Sequence, residues 1–153
     1  MALVNIVGPK TDPFYCYKMP KLQIKIEHIG NDVRTVLMNV NTIGKTLRRS
    51  PVYITKFFCY ELDVPISKKT EQNYYAIQGV HTSEVVQDLM DKFIENFLAC
   101  VRCGIPETKF VLCKRDDIEL EKVCFACGYQ GSENMKIHKL TSFIIKYPQF
   151  MTV

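Results

Sequence analysis

No apolar run in this 153-residue sequence approaches the roughly 18 residues that a membrane span needs, so no membrane partner is expected. Met1 to Gly8 is mildly apolar, but Pro9-Lys10 cuts it short and no small-residue cleavage site follows, which argues against a secretory signal. Also missing are a glycine-rich phosphate loop, a Ser/His/Asp set and a carboxylate pair in a recognisable motif. The chain is therefore not expected to be an enzyme with a catalytic site of its own. Acidic residues are scarce in the first 60 positions, where nine Lys/Arg stand against three acids for a local charge of +6. The rest carries eleven against thirteen, so the overall +4 hides a basic amino-terminal part. Such a part suits a phosphate-facing surface, because neutralising phosphates releases counterions. A solvated basic face would give the same pattern.

Cysteine, by contrast, is plentiful, with seven in all. Cys100-Val101-Arg102-Cys103 and Cys124-Phe125-Ala126-Cys127 are two C-x-x-C pairs separated by twenty residues, Gly104 to Val123. This is the spacing of a four-thiolate zinc site, in which each pair makes a tight turn that aims two sulfurs at one point. One structural Zn2+ is expected, held by Cys100, Cys103, Cys124 and Cys127. The alternative is a pair of redox motifs or disulfides, but a thioredoxin-like motif comes singly beside a βαβ pattern. Four thiolates leave no open coordination position for Lewis-acid chemistry. Cys16, Cys59 and Cys113 have no paired spacing, and free thiols beside a thiolate site indicate a reducing, intracellular compartment.

The predicted fold class is α+β. A flexible tail over 1–20 leads into a small α/β domain over 21–99, and a three-stranded zinc ribbon with four cysteine ligands follows over 100–150. Gly8-Pro9, Asp12-Pro13 and Met19-Pro20 punctuate the tail. The aromatic residues Phe14, Tyr15 and Tyr17 within it either pack on the domain or touch a partner. Leu22, Ile24 and Ile26 alternate with Gln23, Lys25 and Glu27, a half-buried strand that turns at Gly30-Asn31-Asp32 and returns over Val33 to Val40. Arg34 is expected to be exposed beside that turn. Asn41 is expected to cap a short helix to about Arg48, and Ser50-Pro51 to start a second that runs to about Leu62. Arg48-Arg49 at their junction resembles a helix-turn-helix only faintly. Asn73 to Gln78 is a predicted third strand, and Thr82 or Ser83 opens the longest helix, through Ala99, with Val86, Leu89, Met90, Phe93 and Phe97 as its apolar stripe. The acidic row opposite, Glu84, Asp88, Asp91 and Glu95, is a solvated face or a greeting for a basic partner. Lys109 to Cys113 and Ile118 to Val123 are the ribbon's first two strands, and His138 to Lys146 its last. His138 is expected to have a structural or surface role, since four thiolates already fill the metal site.

Four phrases occur in order: Asp12-Pro-Phe-Tyr-Cys-Tyr-Lys-Met-Pro20, Phe97-Leu-Ala-Cys-Val-Arg-Cys-Gly-Ile-Pro-Glu-Thr108, Cys124-Phe-Ala-Cys-Gly128 and His138-Lys-Leu-Thr-Ser-Phe-Ile-Ile-Lys146. Together they resemble the amino-terminal domain of eukaryotic translation initiation factor 5, over about residues 11 to 147. The beta subunit of initiation factor 2 shares that fold and is less similar. The resemblance implies a GTPase activator of initiation factor 2 that acts on the 40S ribosomal subunit when the start codon is recognised, in the cytoplasm and as a monomer. Its implied partners are the gamma GTPase subunit of that factor, the small subunit, and initiator tRNA and mRNA near the decoding site. The family's activating arginine lies in the F-Y-R-Y-K-M-P phrase, where this sequence has Cys16. Lys18 keeps the family's lysine, Arg34 stands for a lysine after the hairpin, and Lys56 matches the helix lysine. These three are the expected contributors to activation, weakened by the thiol at 16. Asp32 replaces the family's glycine at the hairpin tip.

RNA or partner contact is assigned to Tyr15, Tyr17, Lys18 and Lys25, and to Arg34, Arg48, Arg49 and Lys56. The family continues into a helical-repeat domain that binds partner factors and supports inhibition of GDP release. This sequence stops at Val153, so those roles are expected to be absent. The alternatives are a non-activating RNA- or ribosome-binding module, and a subunit like the beta chain of initiation factor 2.

Overall fold

The computed structural model describes residues 3–6, 12–67 and 75–151. Its first two strands lie where a flexible tail is expected. β1 (Leu3–Asn5) pairs antiparallel with β2 (Lys18–Pro20), and Lys18 Nζ donates to Asn5 Oδ1 at 2.9 Å. Met19 is fully buried and Ile6 nearly so. A short ladder thus stands within the segment expected to be a flexible tail. Proline punctuation rules out a long element but not a short ladder, and burying Met19 and Ile6 favours one. The Gly8-Pro9 break lies outside the described residues.

β3 (Ile24–Ile29) and β4 (Asp32–Leu37) form the expected hairpin around Gly30-Asn31. Gly30 has φ +59°, as the first central position of a II′-type turn requires. The sheet continues through two short strands, β5 (Ile66–Ser67) and β6 (Tyr75–Gln78), in the order β3-β4-β6-β5, every pair antiparallel. β5 has no sequence forecast, and Asn73 and Tyr74 of the expected third strand lie outside the described residues.

Between the strands run α1 (Val40–Leu47) and α2 (Pro51–Leu62). Asn41 is not the cap of α1. Asn39 precedes the helix, and its side chain accepts from Gln23 N and donates to Lys21 O, both at 2.8 Å, which ties α1 to the hairpin's entry. α2 begins as its sequence directs: Ser50 Oγ accepts from Val52 N at 3.2 Å and Pro51 opens the first turn. The corner between the helices is tight. Arg48 closes α1 at φ +56°, and a Cβ on Gly44 would lie 2.7 Å from Arg49 O.

α3 (Ser83–Phe93), capped by Thr82 Oγ1 on Val85 N, buries Val86, Leu89, Met90 and Phe93. Its last stretch widens into a π-turn, Ile94–Leu98, closed by Ala99 N on Ile94 O at 2.8 Å. The ribbon sheet follows: β7 (Thr108–Lys114), β8 (Ile118–Cys124) and β9 (Gln130–Gly131), in that order.

The expected last strand, His138 to Lys146, is instead helix α4 (Lys139–Lys146). Its β-branched residues suit a strand, but Leu140, Thr141 and Ile144 are buried at helical spacing. His138 supplies the start signal that sequence reading missed. Its Nδ1 accepts from Leu140 N at 3.0 Å, which leaves the proton on Nε2, donated to Glu61 Oε1 at 3.0 Å. The imidazole stacks on Phe57 at 4.8 Å, so of the structural and surface roles expected it takes the structural one. Phe110 and Leu120 of the ribbon and Leu140 and Ile144 of α4 share one core with Tyr53, Phe57 and Phe97. No helix among the described residues is long and apolar enough to cross a membrane.

Candidate functional site

Each C-x-x-C pair folds into a knuckle whose backbone turns on itself. Gly104 N donates to Cys100 O at 2.9 Å and Gly128 N to Cys124 O at 3.0 Å. Both glycines have positive φ, +74° and +79°, which closes each turn without steric cost. Register then joins the knuckles, because Thr108 pairs with Cys124 across β7 and β8, and Phe125 N donates to Glu107 O at 2.8 Å. The four sulfurs lie within 4.8 Å of one another, with Cys100–Cys127 and Cys103–Cys124 both at 3.6 Å. A tetrahedron of thiolates about 2.3 Å from a zinc ion has edges of about 3.8 Å. A disulfide would need about 2.05 Å, and all seven cysteines are free. The set can hold a metal ion. Cys113 accepts from Gln130 Nε2 at 3.5 Å and stands outside the set, as expected.

The helix that feeds the first knuckle ends against two buried cations. Arg49 Nη2 donates to Phe97 O at 3.2 Å and to Thr108 Oγ1 at 2.8 Å, Nη1 donates to Thr108 O at 2.8 Å, and Thr108 Oγ1 donates to Leu98 O. Lys122 Nζ donates to Ala99 O at 2.6 Å and Asn96 O at 3.4 Å. Four consecutive carbonyls at the helix C-terminus, Asn96 to Ala99, are thus taken, three of them by cations at the negative end of the macrodipole. Burial pushes the Arg49 guanidinium down to about 9 and the Lys122 ammonium down to about 8. The guanidinium also lies 4.1 Å from the centroid of Phe110. Assignment of Arg49 to RNA contact is therefore corrected: it is 2 % exposed and bolts the α1–α2 corner to the ribbon. Its local sequence shows only one arginine after another. Arg49→Ala is expected to lower the unfolding free energy by about 3–5 kcal/mol, from carbonyls left without donors and lost packing. Arg49→Lys should recover only part, lacking the fork. Urea titration checks both.

The remaining assigned residues divide by environment. Arg34 is 8 % exposed, not exposed as expected, with Nε and Nη2 donating to Glu27 Oε2 at 3.1 and 2.8 Å. Glu27 is its cross-strand partner, an arrangement invisible until register is known. Lys25 on the same strand as Glu27 is exposed, 4.0 Å from it, and Arg48 is exposed at the helix corner. Tyr15 and Tyr17 meet edge to face at 5.8 Å, and Tyr17 OH donates to Glu107 Oε1 at 2.8 Å. That bond, on a residue just before β7, holds the Tyr17 phenol's pKa up at about 12. Cys16 between the two tyrosines is exposed. Lys56 lies on α2, its Nζ 5.1 Å from the centroid of Phe143 and 5.6 Å from that of Tyr60.

A small α+β domain joined through its core to a four-cysteine ribbon is the class that fold and site define. Residues 8–130 match the family model of a domain found in initiation factors 2B and 5. The chain is 43% identical over 148 residues to a probable eukaryotic translation initiation factor 5 of Schizosaccharomyces pombe, across 97% of this chain and 37% of that protein. With eukaryotic translation initiation factor 5 of Dictyostelium discoideum it is 46% identical over 148 residues, and with that of Saccharomyces cerevisiae 40% over 145, across 97% and 95% of this chain and 36% and 35% of those proteins. The chain belongs to this family of translation initiation factor domains. It spans a little over a third of the length of these relatives.

Proposed function

We propose that this chain acts in translation initiation in the cytoplasm, as a domain that binds initiation factor 2 on the small ribosomal subunit and promotes GTP hydrolysis when the start codon is recognised. The observation that carries the reading is the identity of 36–46% to translation initiation factor 5 over nearly the whole chain. The four thiolates would hold one structural Zn2+, which gives the ribbon its stability and takes no part in GTP hydrolysis. Residues of the tail and the hairpin side would face the gamma GTPase subunit, initiator tRNA and mRNA. Tyr17, anchored on Glu107, presents the exposed position 16 to a partner. Lys18 is held by Asn5, and Arg34 by Glu27, so neither is poised to replace a mobile arginine.

Stimulation is therefore weak. Phosphate release from initiation complexes loaded with GTP, with and without the chain, tests this. A small acceleration together with co-sedimentation on the small subunit is expected. No association with the complex would overturn the reading. The second reading, a ribosome-binding module that does not activate at all, is favoured by Cys16 and by the +6 of the first 60 residues. Association without any acceleration would establish it.

A further inference from the structure

We propose that the cleft between α2 and α4 is a binding site for single-stranded RNA, with Lys56, Lys139 and Lys146 on the phosphates and Tyr60, Phe143 and Tyr147 against the bases. These six side chains and Ser142 line an open cleft of about 350 Å³. That lies at the lower end of ligand-pocket volumes, about 300–1,000 Å³. Helical spacing assembles it. Lys56 and Tyr60 are one turn apart on α2, Lys139, Phe143 and Lys146 follow one stripe of α4, and Tyr147 is the residue just after it. In the strand that sequence reading expects, Lys139 and Lys146 would point to opposite faces. The helix turns both toward Lys56.

Charge selects the class of ligand. No carboxylate lines the cleft, and none of its three lysines has an ion-pair partner among the described residues. Glu61, on the same helix as Lys56, is engaged by His138. Residues 134–153 contain three lysines and no acid. Three lysines line the open cleft, two of them over its rings, and together they raise the local positive potential and attract an anion. The rings distinguish a nucleic acid from an acidic peptide. Phe143 and Tyr147 lie 4.8 Å apart and tilted, half-buried, and Lys146 sits 5.5 Å from the Tyr147 centroid. Half-buried aromatic faces interleaved with lysines are what single-stranded nucleic acid uses, with stacking for the base and charge for the backbone. A polyglutamate would engage only the lysines and add no contact to the rings, which already meet Lys56, Lys146 and one another. The choice of RNA among polyanions rests on the reading of the chain as a ribosome-facing factor; the cleft and its charge do not.

Fluorescence anisotropy of the whole chain with a short labelled oligouridylate tests this. Lys139→Ala/Lys146→Ala is expected to weaken binding about tenfold and to reduce the slope of log K against log salt by about 1.4, the loss of two phosphate contacts on a single strand. Lys45→Ala/Lys92→Ala removes equal charge from other helices and should change affinity less than about twofold. All four lysines are exposed, so the fold should survive in both variants, as circular dichroism would verify. Equal losses in the two variants, no binding by the parent chain, or a polyglutamate captured in preference to RNA and lost in the first variant would each overturn the proposal. Phosphate release measured on the same proteins separates the two readings. A chain that fails to stimulate hydrolysis yet loses RNA through Lys139 and Lys146 keeps the cleft and refutes the activator.

Discussion

Cys16→Arg is expected to raise single-turnover GTP hydrolysis in an initiation complex by about 10³–10⁵-fold over the parent chain, the range an arginine finger supplies. That is about 4–7 kcal/mol of transition-state stabilisation. The finger works because a guanidinium places a fixed positive fork on oxygens that gain charge as the phosphoryl group leaves. A neutral thiol has no charge to place, and a thiolate would repel those oxygens. The surroundings favour the gain. Position 16 is exposed between Tyr15 and Tyr17, and the Tyr17–Glu107 hydrogen bond tethers that segment just before β7. The neighbouring Lys18 donates to Asn5 within the β1–β2 ladder and offers no second finger. Tyr17→Phe in the Cys16→Arg background should remove part of the gain by releasing the tether. A rate unchanged by Cys16→Arg would show that activation in this chain does not pass through position 16.

Removing the metal has the largest expected effect on stability. Structural zinc contributes about 10–16 kcal/mol to folding in zinc-finger peptides, against a total of about 5–15 kcal/mol for a typical domain. Chelation, or Cys124→Ser at the buried knuckle position, should therefore unfold the ribbon. The damage should spread. Phe110 and Leu120 belong to the same core as Tyr53 and Phe97, and Arg49 reaches from the α1–α2 corner to Thr108 on the ribbon's first strand. A ribbon that melts would leave Arg49 and Lys122 without their carbonyl partners. One equivalent of zinc per chain by elemental analysis, with loss of near-ultraviolet circular dichroism on chelation, is the expected result. A melting temperature indifferent to chelator would show that the four thiols stabilise nothing through a metal. Acid should release the ion, because thiolate ligands must lose it to be protonated.

Much of this molecule is legible before it folds. The two C-x-x-C pairs identify the metal-binding set because each knuckle is built from neighbours in sequence. The glycine turn of the hairpin, Ser50-Pro51 and Thr82 mark their elements for the same reason: the donor and acceptor lie within a few residues. Where sequence reading errs, the deciding partner is remote. Residues 139–146 suit a strand by composition, and become a helix because His138, held on Phe57 and Glu61 of α2, caps them and the core takes Leu140 and Ile144. Arg34 looks exposed until register sets it opposite Glu27.

Local chemistry alone determined the two knuckles, the Ser50 and Thr82 caps and the hairpin turn, since each closes over a short loop whose geometry a few residues dictate. Tertiary structure alone decided which cations serve the interior and which face solvent. Arg48 and Arg49 are adjacent and identical, yet one is exposed and the other is sealed against Phe97 and Thr108. Burying a guanidinium is tolerable only where carbonyls from distant elements converge to satisfy it.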